Sequence, residues 1–165
     1  MRRPTALSAL LLALVFPVPA GAAKGDAKYL WATVNSCDTA AAPDTVGVRA
    51  SIPGNGTRQK LYMRFEAQWF DRRTNRFVAS GSSSRWIHVG SARFRSTQSG
   101  FSFAFGQPPA GTEFTLRGLV NFEWRGRRKG RGVVVRRETR ITRAGIAGVE
   151  GGDPPGTSVA SCVIR

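Results

Sequence analysis

The stretch TEFTLRGLVNFEWRGRRKGRGVVVRRETRITR, residues 112–143, decides the fold of this chain. Residues 112–125 alternate apolar and polar side chains, and residues 131–143 do the same. Period-two alternation predicts β-strands that bury one face. The segment GRRKG at 126–130 combines two glycines with three basic residues and predicts a turn. The stretch as a whole therefore predicts an antiparallel β-hairpin.

The expected register of this hairpin follows from its two apolar faces. Six residues of the first strand share one face: Phe114, Leu116, Gly118, Val120, Phe122 and Trp124. Four residues of the second strand share another: Val133, Val135, Thr139 and Ile141. Both faces lie on the same side only if Trp124 is opposite Val133, because a slip of one residue exposes one of them. In this register Arg137 points inward, and a nearby β-bulge would relieve the conflict.

Shorter alternating runs extend outward from the hairpin, and signals for helix are nearly absent. Residues 45–52 and 60–70 alternate most clearly, and PGNG at 53–56 predicts a turn between them. The inward residues of these two runs are expected to be Val46, Val48, Ala50, Ile52, Leu61, Met63, Phe65, Ala67 and Trp69. Residues 81–84 predict a polar loop. Further strands are expected at 29–36, 77–79, 85–89, 100–105 and 158–164.

The total of seven to nine short strands predicts an all-β fold of two packed antiparallel sheets. The pattern over residues 29–143 resembles an immunoglobulin-like or fibronectin type III-like β-sandwich. The chain is also similar to uncharacterised secreted proteins of high-GC bacteria. The antibody-type pair of cysteines on the second and sixth strands is missing. The resemblance therefore implies an architecture and no activity.

The two cysteines, Cys37 and Cys162, predict one disulfide, because the cysteines of exported proteins usually pair. We expect this bridge to tie the N- and C-terminal regions together. Since Cys37 follows the first predicted strand and Cys162 lies in the last, it is not expected to join the two sheets through the core. Free thiols or an intermolecular bridge are the alternatives. Two cysteines and one histidine do not complete a zinc site, so no metal and no cofactor are expected.

Residues 1–22 have the features of a secretory signal peptide. Arg2 and Arg3 supply positive charge, an apolar run follows at 6–16, and the small residues AGA at 20–22 fit a cleavage site. The apolar run is too short to span a bilayer, which requires about 20 residues. An N-terminal anchor that stays attached is the alternative.

Cleavage at that point sets the expected domain organisation. Residues 23–28 would form a short linker, and residues 29–165 a single β-sandwich domain. No later stretch predicts a transmembrane segment in the mature chain. We therefore expect a secreted, extracytoplasmic protein.

The chain is strongly basic, with a formal net charge of +15, and such a field attracts polyanions. Part of this charge is explained by the arginine bias of a GC-rich genome. Residues 125–143 stand out, because they carry nine basic residues and one acidic residue. The candidate polyanion-binding residues are Arg117, Arg125, Arg127, Arg128, Lys129, Arg131, Arg136 and Arg140. The expected register places Arg117 and Arg140 outward and close together. The alternative is a solvated hairpin end whose charges deter aggregation.

No residue pattern predicts catalysis. The only histidine, His88, lies in a predicted edge strand, and no strained G-x-S-x-G nucleophile turn is present.

The outward aromatics Tyr62 and Phe70 are expected on a strand other than the basic hairpin. We therefore expect a non-enzymatic binding domain whose partner is an anionic envelope polymer or another exported protein. The alternatives are a hydrolase using His88 or Glu66, and a structural or inhibitory domain. Export argues against nucleic acid as the physiological partner.

Overall fold

The computed structural model of the protein describes residues 26–165, so the predicted signal peptide and the first residues of the predicted linker lie outside the described residues. A one-turn helix is followed by nine strands, in the order α1 (Asp26–Tyr29), β1 (Trp31–Thr39), β2 (Ala42–Pro53), β3 (Lys60–Asp71), β4 (Arg76–Ser83), β5 (Ile87–Ser91), β6 (Ser96–Ala104), β7 (Phe114–Arg128), β8 (Arg131–Ile141) and β9 (Cys162–Ile164). Within residues 26–165, no helix is long and apolar enough to cross a membrane. The prediction of an all-β fold is confirmed.

The strands form two antiparallel sheets. The first sheet has the order β1-β2-β6. The second has the order β4-β3-β7-β8, and two short strands complete it. Strand β5 pairs with the start of β3, beyond the part that β4 covers, and β9 pairs with the start of β7 in the same way. The second sheet is therefore four strand positions wide and covers more area than the first.

The apolar faces of the two sheets meet in one core. Its largest contributions come from three strands, with buried Val46, Val48, Ala50, Ile52, Leu61, Met63, Phe65, Leu116, Val120, Phe122 and Trp124. Burying one large apolar side chain stabilises a fold by roughly 1.5–3 kcal/mol, so the alternation of these strands decides the fold. The predicted inward faces of β2, β3 and the first half of the hairpin are confirmed. The exception is Trp69, which is 44% exposed near the end of β3.

Two weaker strand predictions are wrong in detail. Residues 81–84 do not form a loop, because β4 continues to Ser83. A positive φ of 85° at Gly81 and a register shift against β3 allow the strand to continue through this polar segment. The last strand begins at Cys162 and not at 158, because Val159 forms an isolated bridge to Val34 in the first sheet.

The predicted register of the basic hairpin is wrong, and its turn explains why. Strand β7 continues to Arg128 and pairs it with Arg131, so the turn consists of Lys129 and Gly130 alone. Both turn residues have positive φ, 50° and 78°, as a two-residue hairpin turn requires. The predicted register would centre the turn on Arg128 and Lys129, and neither has the freedom of glycine at positive φ. Glycine at 130 therefore shifts the pairing.

A β-bulge near the turn changes which side chains of β8 face the core. The register shifts between Trp124 and Arg125, where Val135 is the extra residue on β8. Beyond the bulge, Trp124 is opposite Arg136, and Glu123 is opposite Arg137. Arg137 consequently points away from the core and not into it. Val135, predicted to be inward, is 55% exposed.

The disulfide between Cys37 and Cys162 is present, as predicted, but it does more than join the chain ends. Cys37 lies in β1 of the first sheet and Cys162 in β9 of the second. Cys162 is buried within the core, and Cys37 packs against it. The expectation that the bridge would not connect the sheets is therefore wrong. No pattern in the sequence indicates that the last strand pairs with β7.

We predict that changing Lys129 to Asn stabilises the protein. Asn adopts positive φ more readily than Lys, and Asn-Gly is the favoured sequence for this turn. The free energy of unfolding, measured by urea denaturation, should rise by up to about 1 kcal/mol. The matched change of Gly130 to Ala should lower it by a similar amount. A destabilised Lys129→Asn variant would contradict the turn described here.

We predict that loss of the disulfide destabilises the fold strongly. The bridge closes a loop with a sequence separation of 125 residues, for which chain entropy gives about 4–5 kcal/mol as an upper value. The oxidised protein should be lighter than the reduced one by two hydrogens in intact mass spectrometry. Reduction, or the double change of Cys37 and Cys162 to Ala, should lower the melting temperature. An unchanged melting temperature would show that the inter-sheet link is dispensable.

Candidate functional site

The strand pairing of the second sheet collects basic and aromatic side chains on its outer face. Since the odd-numbered residues of β3 are buried, the even-numbered residues point outward. Lys60 pairs with Arg125 of β7, and Tyr62 pairs with Glu123. The start of β3 and the basic end of β7 are thus neighbours, although 65 positions of sequence separate Lys60 from Arg125.

An open groove of about 590 Å³ lies on this face. It is lined by Arg58, Gln59, Lys60, Tyr62, Arg125, Gly126, Arg127, Gly132 and Val135, and we call it the basic groove. Four of its lining residues are cationic and none is acidic. In the described part of the chain, no ion pair joins Arg58, Lys60 or Arg127 to a carboxylate. The groove therefore offers positive charge that is not neutralised locally.

Arg125 is held in place by three neighbours. Its guanidinium group lies 4.0 Å from the ring centroid of Tyr62 and 5.1 Å from that of Trp86. Its Nε donates a hydrogen bond of 2.7 Å to Glu123. Because only Nε is used among the described residues, the terminal nitrogens keep their donors available. Arginine held over aromatic rings in this way is pre-organised to bind a carboxylate or phosphate.

Glu123 is the buried anchor of this arrangement, with only 2% of its side chain exposed. It accepts hydrogen bonds from Arg125 and from Arg137, its cross-strand partner, whose Nε lies at 2.9 Å. Burial by itself would raise the pKa of this carboxyl, but the hydrogen bonds from Arg137 and Arg125 outweigh it and lower the pKa. Glu123 is therefore a structural anion whose charge is already matched by its two arginine partners.

The predicted binding residues divide among several places. Arg125 and Arg127 line the basic groove, and Arg128, Lys129 and Arg131 are exposed at the hairpin tip beside it. These five residues form a continuous basic region, as the clustering in the sequence indicated.

Three other predicted residues lie apart from the groove. Arg117 is on the outer face, but at the opposite end of β7. Arg136 and Arg140 pair with buried Trp124 and Val120, so they lie on the other side of the sheet. The prediction that Arg117 and Arg140 are close together is therefore wrong, because the observed register turns Arg140 to the opposite face.

Arg136 and Arg140 have a local role at the edge of the second sheet. Both form ion pairs with Glu138, at 3.2 and 3.1 Å. Arg136 also lies over the ring of Trp124, 4.5 Å from its centroid. Charged side chains on the inward face of an edge strand oppose pairing with another chain, which matches the alternative reading of these two residues.

Sequence reasoning missed Arg58, Lys60 and Tyr62 as members of the site. Arg58 and Lys60 are isolated charges in the sequence, and only the pairing of β3 with β7 brings them beside the hairpin. Tyr62 was predicted to point outward on a strand other than the basic hairpin, and that strand, β3, is the neighbour of β7. The outward alternation of Lys60 and Tyr62 was the available signal, and strand order was the missing information.

His88 and Glu66 have geometries that suit packing. The His88 ring lies 5.1 Å from the ring of Tyr62, tilted against it. Glu66 accepts a hydrogen bond of 2.8 Å from Asn121 and lies 3.7 Å from Arg64. No hydrogen bond joins His88 to a carboxylate or a serine among residues 26–165. That same part of the chain contains no cluster of three or more His, Cys, Asp or Glu residues that could hold a metal ion.

Comparison with known proteins gives no family for this chain. No protein-family model matches it, and no curated protein is significantly similar to it in sequence.

We predict that changing Glu123 to Gln destabilises the protein by about 2 kcal/mol at pH 7, because two arginines lose a charged acceptor. The pKa of Glu123 is lowered in the folded state, so the carboxylate stabilises the fold above the usual glutamate pKa of about 4.3. The difference in free energy of unfolding between the unchanged protein and Glu123→Gln should therefore decrease as the pH falls below the usual glutamate pKa. Urea denaturation of the two proteins over a range of pH would measure this difference.

The matched control is Glu138→Gln, which also affects two arginines but at a side chain that is 27% exposed. We expect it to cost less than about 1 kcal/mol. Equal losses for the two variants would show that burial gives Glu123 no special weight.

Proposed function

We propose that this protein is an exported, non-enzymatic binding module that holds the acidic groups of an anionic envelope polymer in its basic groove. The observation that carries the proposal is that the guanidinium of Arg125 is held in a fixed position and is surrounded by cationic side chains that no carboxylate of the described chain neutralises. Glu123 and Tyr62 hold this group in position. Arg58, Lys60 and Arg127 surround it without ion-pair partners in the described chain.

These two kinds of cation would contribute differently to binding. Arg125 is already ordered, so a carboxylate or phosphate that binds it avoids much of the entropy cost of fixing a long side chain. Arg58, Lys60 and Arg127 are exposed, and they would act mainly through a salt-dependent field that attracts and retains a polyanion. Binding should therefore weaken as the salt concentration rises, but it should persist at salt concentrations that abolish a purely diffuse electrostatic attraction.

The remaining features of the molecule support a binding role outside the cytoplasm. A disulfide is compatible with an extracytoplasmic location, since such bonds persist in oxidising compartments. The tilted contact between the His88 and Tyr62 rings supports binding over hydrolysis, because the imidazole is engaged in packing. We further propose an immunoglobulin-like or fibronectin type III-like relationship. The sheet orders β1-β2-β6 and β4-β3-β7-β8 support it, since they follow the A-B-E and C′-C-F-G strands of such sandwiches.

Neutralising the groove tests this function. The triple variant Arg58→Gln, Lys60→Gln, Arg127→Gln should bind an acidic polysaccharide such as polygalacturonate at least about tenfold more weakly than the unchanged protein at low salt. Each exposed cation lost is expected to account for up to about 1 kcal/mol. The melting temperature should remain nearly the same, because these three side chains make no ion pair in the described chain. Titration across a salt series would measure the affinities.

The charge-matched control changes Arg73, Arg76 and Arg143 to Gln. These residues are exposed and form no ion pair among residues 26–165. Arg73 lies in the turn between β3 and β4, Arg76 begins β4, and Arg143 follows the end of β8, so all three lie away from the groove. This variant should retain affinity within about twofold. A second variant changes Arg128, Lys129 and Arg131 to Gln. It distinguishes the contribution of the hairpin tip to binding from that of the groove. Equal losses in the groove variant and the control would show that net charge alone attracts the polymer, and the proposed site would be abandoned.

A further inference from the structure

The outer face of the second sheet carries a second arginine held on aromatic rings. The guanidinium of Arg117 lies 4.1 Å from the ring centroid of Phe77, and its Nε donates a hydrogen bond of 2.8 Å to Gln68. Phe70 meets Phe77 edge to face, with 5.2 Å between the ring centroids. We call this group of Arg117, Phe77, Phe70 and Gln68 the Arg117 platform. Like Arg125, Arg117 uses Nε to bond a neighbour, but unlike Arg125 it forms no ion pair in the described chain.

The platform and the basic groove lie on the same face and on the same strands. Arg117 and Arg125 both belong to β7, eight positions apart. At about 3.4 Å for each residue of an antiparallel strand, the two arginines are separated by roughly 27 Å. Two ordered guanidinium groups at this distance suit an extended ligand, since a small anion would reach only one of them.

The surface between them is mainly polar and close to neutral, with Leu119 and Ile141 as apolar members near the Arg117 end. Asn121 donates to Glu66, and the hydroxyl of Thr139 donates to the Asn121 carbonyl, both at 2.8 Å. Glu66 is 31% exposed beside Arg64, and Glu123 is matched by its arginines. A polymer with a negative charge on every short repeat would be repelled by Glu66. Hydroxyl groups, in contrast, can exchange hydrogen bonds with the amide, hydroxyl and carboxylate groups present there.

The aromatic rings at both ends add apolar surface beside the charged groups. Tyr62 and Trp86 flank Arg125, while Phe70 and Phe77 flank Arg117. Such rings can pack against the carbon-bearing face of a sugar, while the guanidinium binds its acidic substituent. A chain of phosphates has no comparable apolar face. The combination therefore favours a carbohydrate with acidic groups.

We infer that the outer face of the second sheet is a track for an extended acidic polysaccharide, which binds through the basic groove at one end and the Arg117 platform at the other. This inference rests on the proposed function of the groove and adds the ligand class and a second contact. Its consequence is a length threshold, because only a chain that spans about 27 Å can reach both arginines.

The test uses hyaluronan oligosaccharides, which carry a carboxylate on every second sugar only, in lengths shorter and longer than this distance, with the protein bearing its disulfide. Longer fragments should bind the unchanged protein about tenfold more tightly than shorter ones. Arg117→Gln should remove that difference, leave the affinity for short fragments unchanged, and make the salt slope for long fragments shallower by about one. Arg117→Lys, which keeps the charge but not the planar group, should restore only part of the difference. Arg143→Gln serves as the charge-matched control.

The possible results separate this inference from the function on which it rests. If length has no effect while the groove variant still weakens binding, the track is wrong and the groove stands. If neither short nor long fragments bind, both are wrong. Inorganic polyphosphate and vesicles of anionic phospholipid are the comparison ligands. Tighter binding of either one, with the same dependence on Arg117, would overturn the assignment to a polysaccharide.

Discussion

A two-residue turn, together with the β-bulge beside it, determines how the side chains of β8 pair with β7. Only Gly130 offers unrestricted positive φ at the tip of the hairpin, so the turn is formed by Lys129 and Gly130. The β-bulge at Val135 then shifts the register by one residue and places Glu123 opposite Arg137 and Trp124 opposite Arg136. The buried carboxylate, the ordered guanidinium groups beside it and the polarity of the sheet edge all result from that pairing.

The observed register is also favoured by the energies of the alternatives. Burying Val133 and Val135 would gain roughly 1.5–3 kcal/mol each if the facing sheet covered them fully. The same register would direct Arg137 into the core, where an uncompensated charge costs several kcal/mol, and would leave Glu123 with one arginine partner in place of two. Since β8 lies at the edge of the wider sheet, the gain from burying its valines is reduced further. Charge pairing therefore prevails over apolar burial in this strand.

The sequence predicts well which face of a single strand is buried. It predicts less well which strands pair and in which register. Alternation gave the inward faces of β2, β3 and β7, because a continuous apolar face must be covered. It did not give the register of β8, which depends on the turn, or the pairing of β9 with β7, which makes the disulfide an inter-sheet link. The groove was predicted only in part, for the same reason. Its hairpin arginines are clustered in the sequence, whereas Arg58 and Lys60 are brought to the groove by the pairing of β3 with β7, which no local pattern indicates.

The distribution of charge argues that the groove is more than a product of arginine-rich composition. A uniform bias toward arginine would place it on the exposed parts of both outer faces; on the first sheet these parts are reduced, because residues 148–158 form hydrogen bonds with Thr33, Asn35 and Gln98 there. The outward strand positions of the first sheet carry a single cation, Arg49, and it is paired with Glu150 at 2.8 Å. The other outward positions there are mainly glycine, serine and threonine. On the second sheet, outward positions hold the cations of the groove and the Arg117 platform, two of them ordered on aromatic rings. This asymmetry makes the outer face of the second sheet the binding face of the molecule in our proposal.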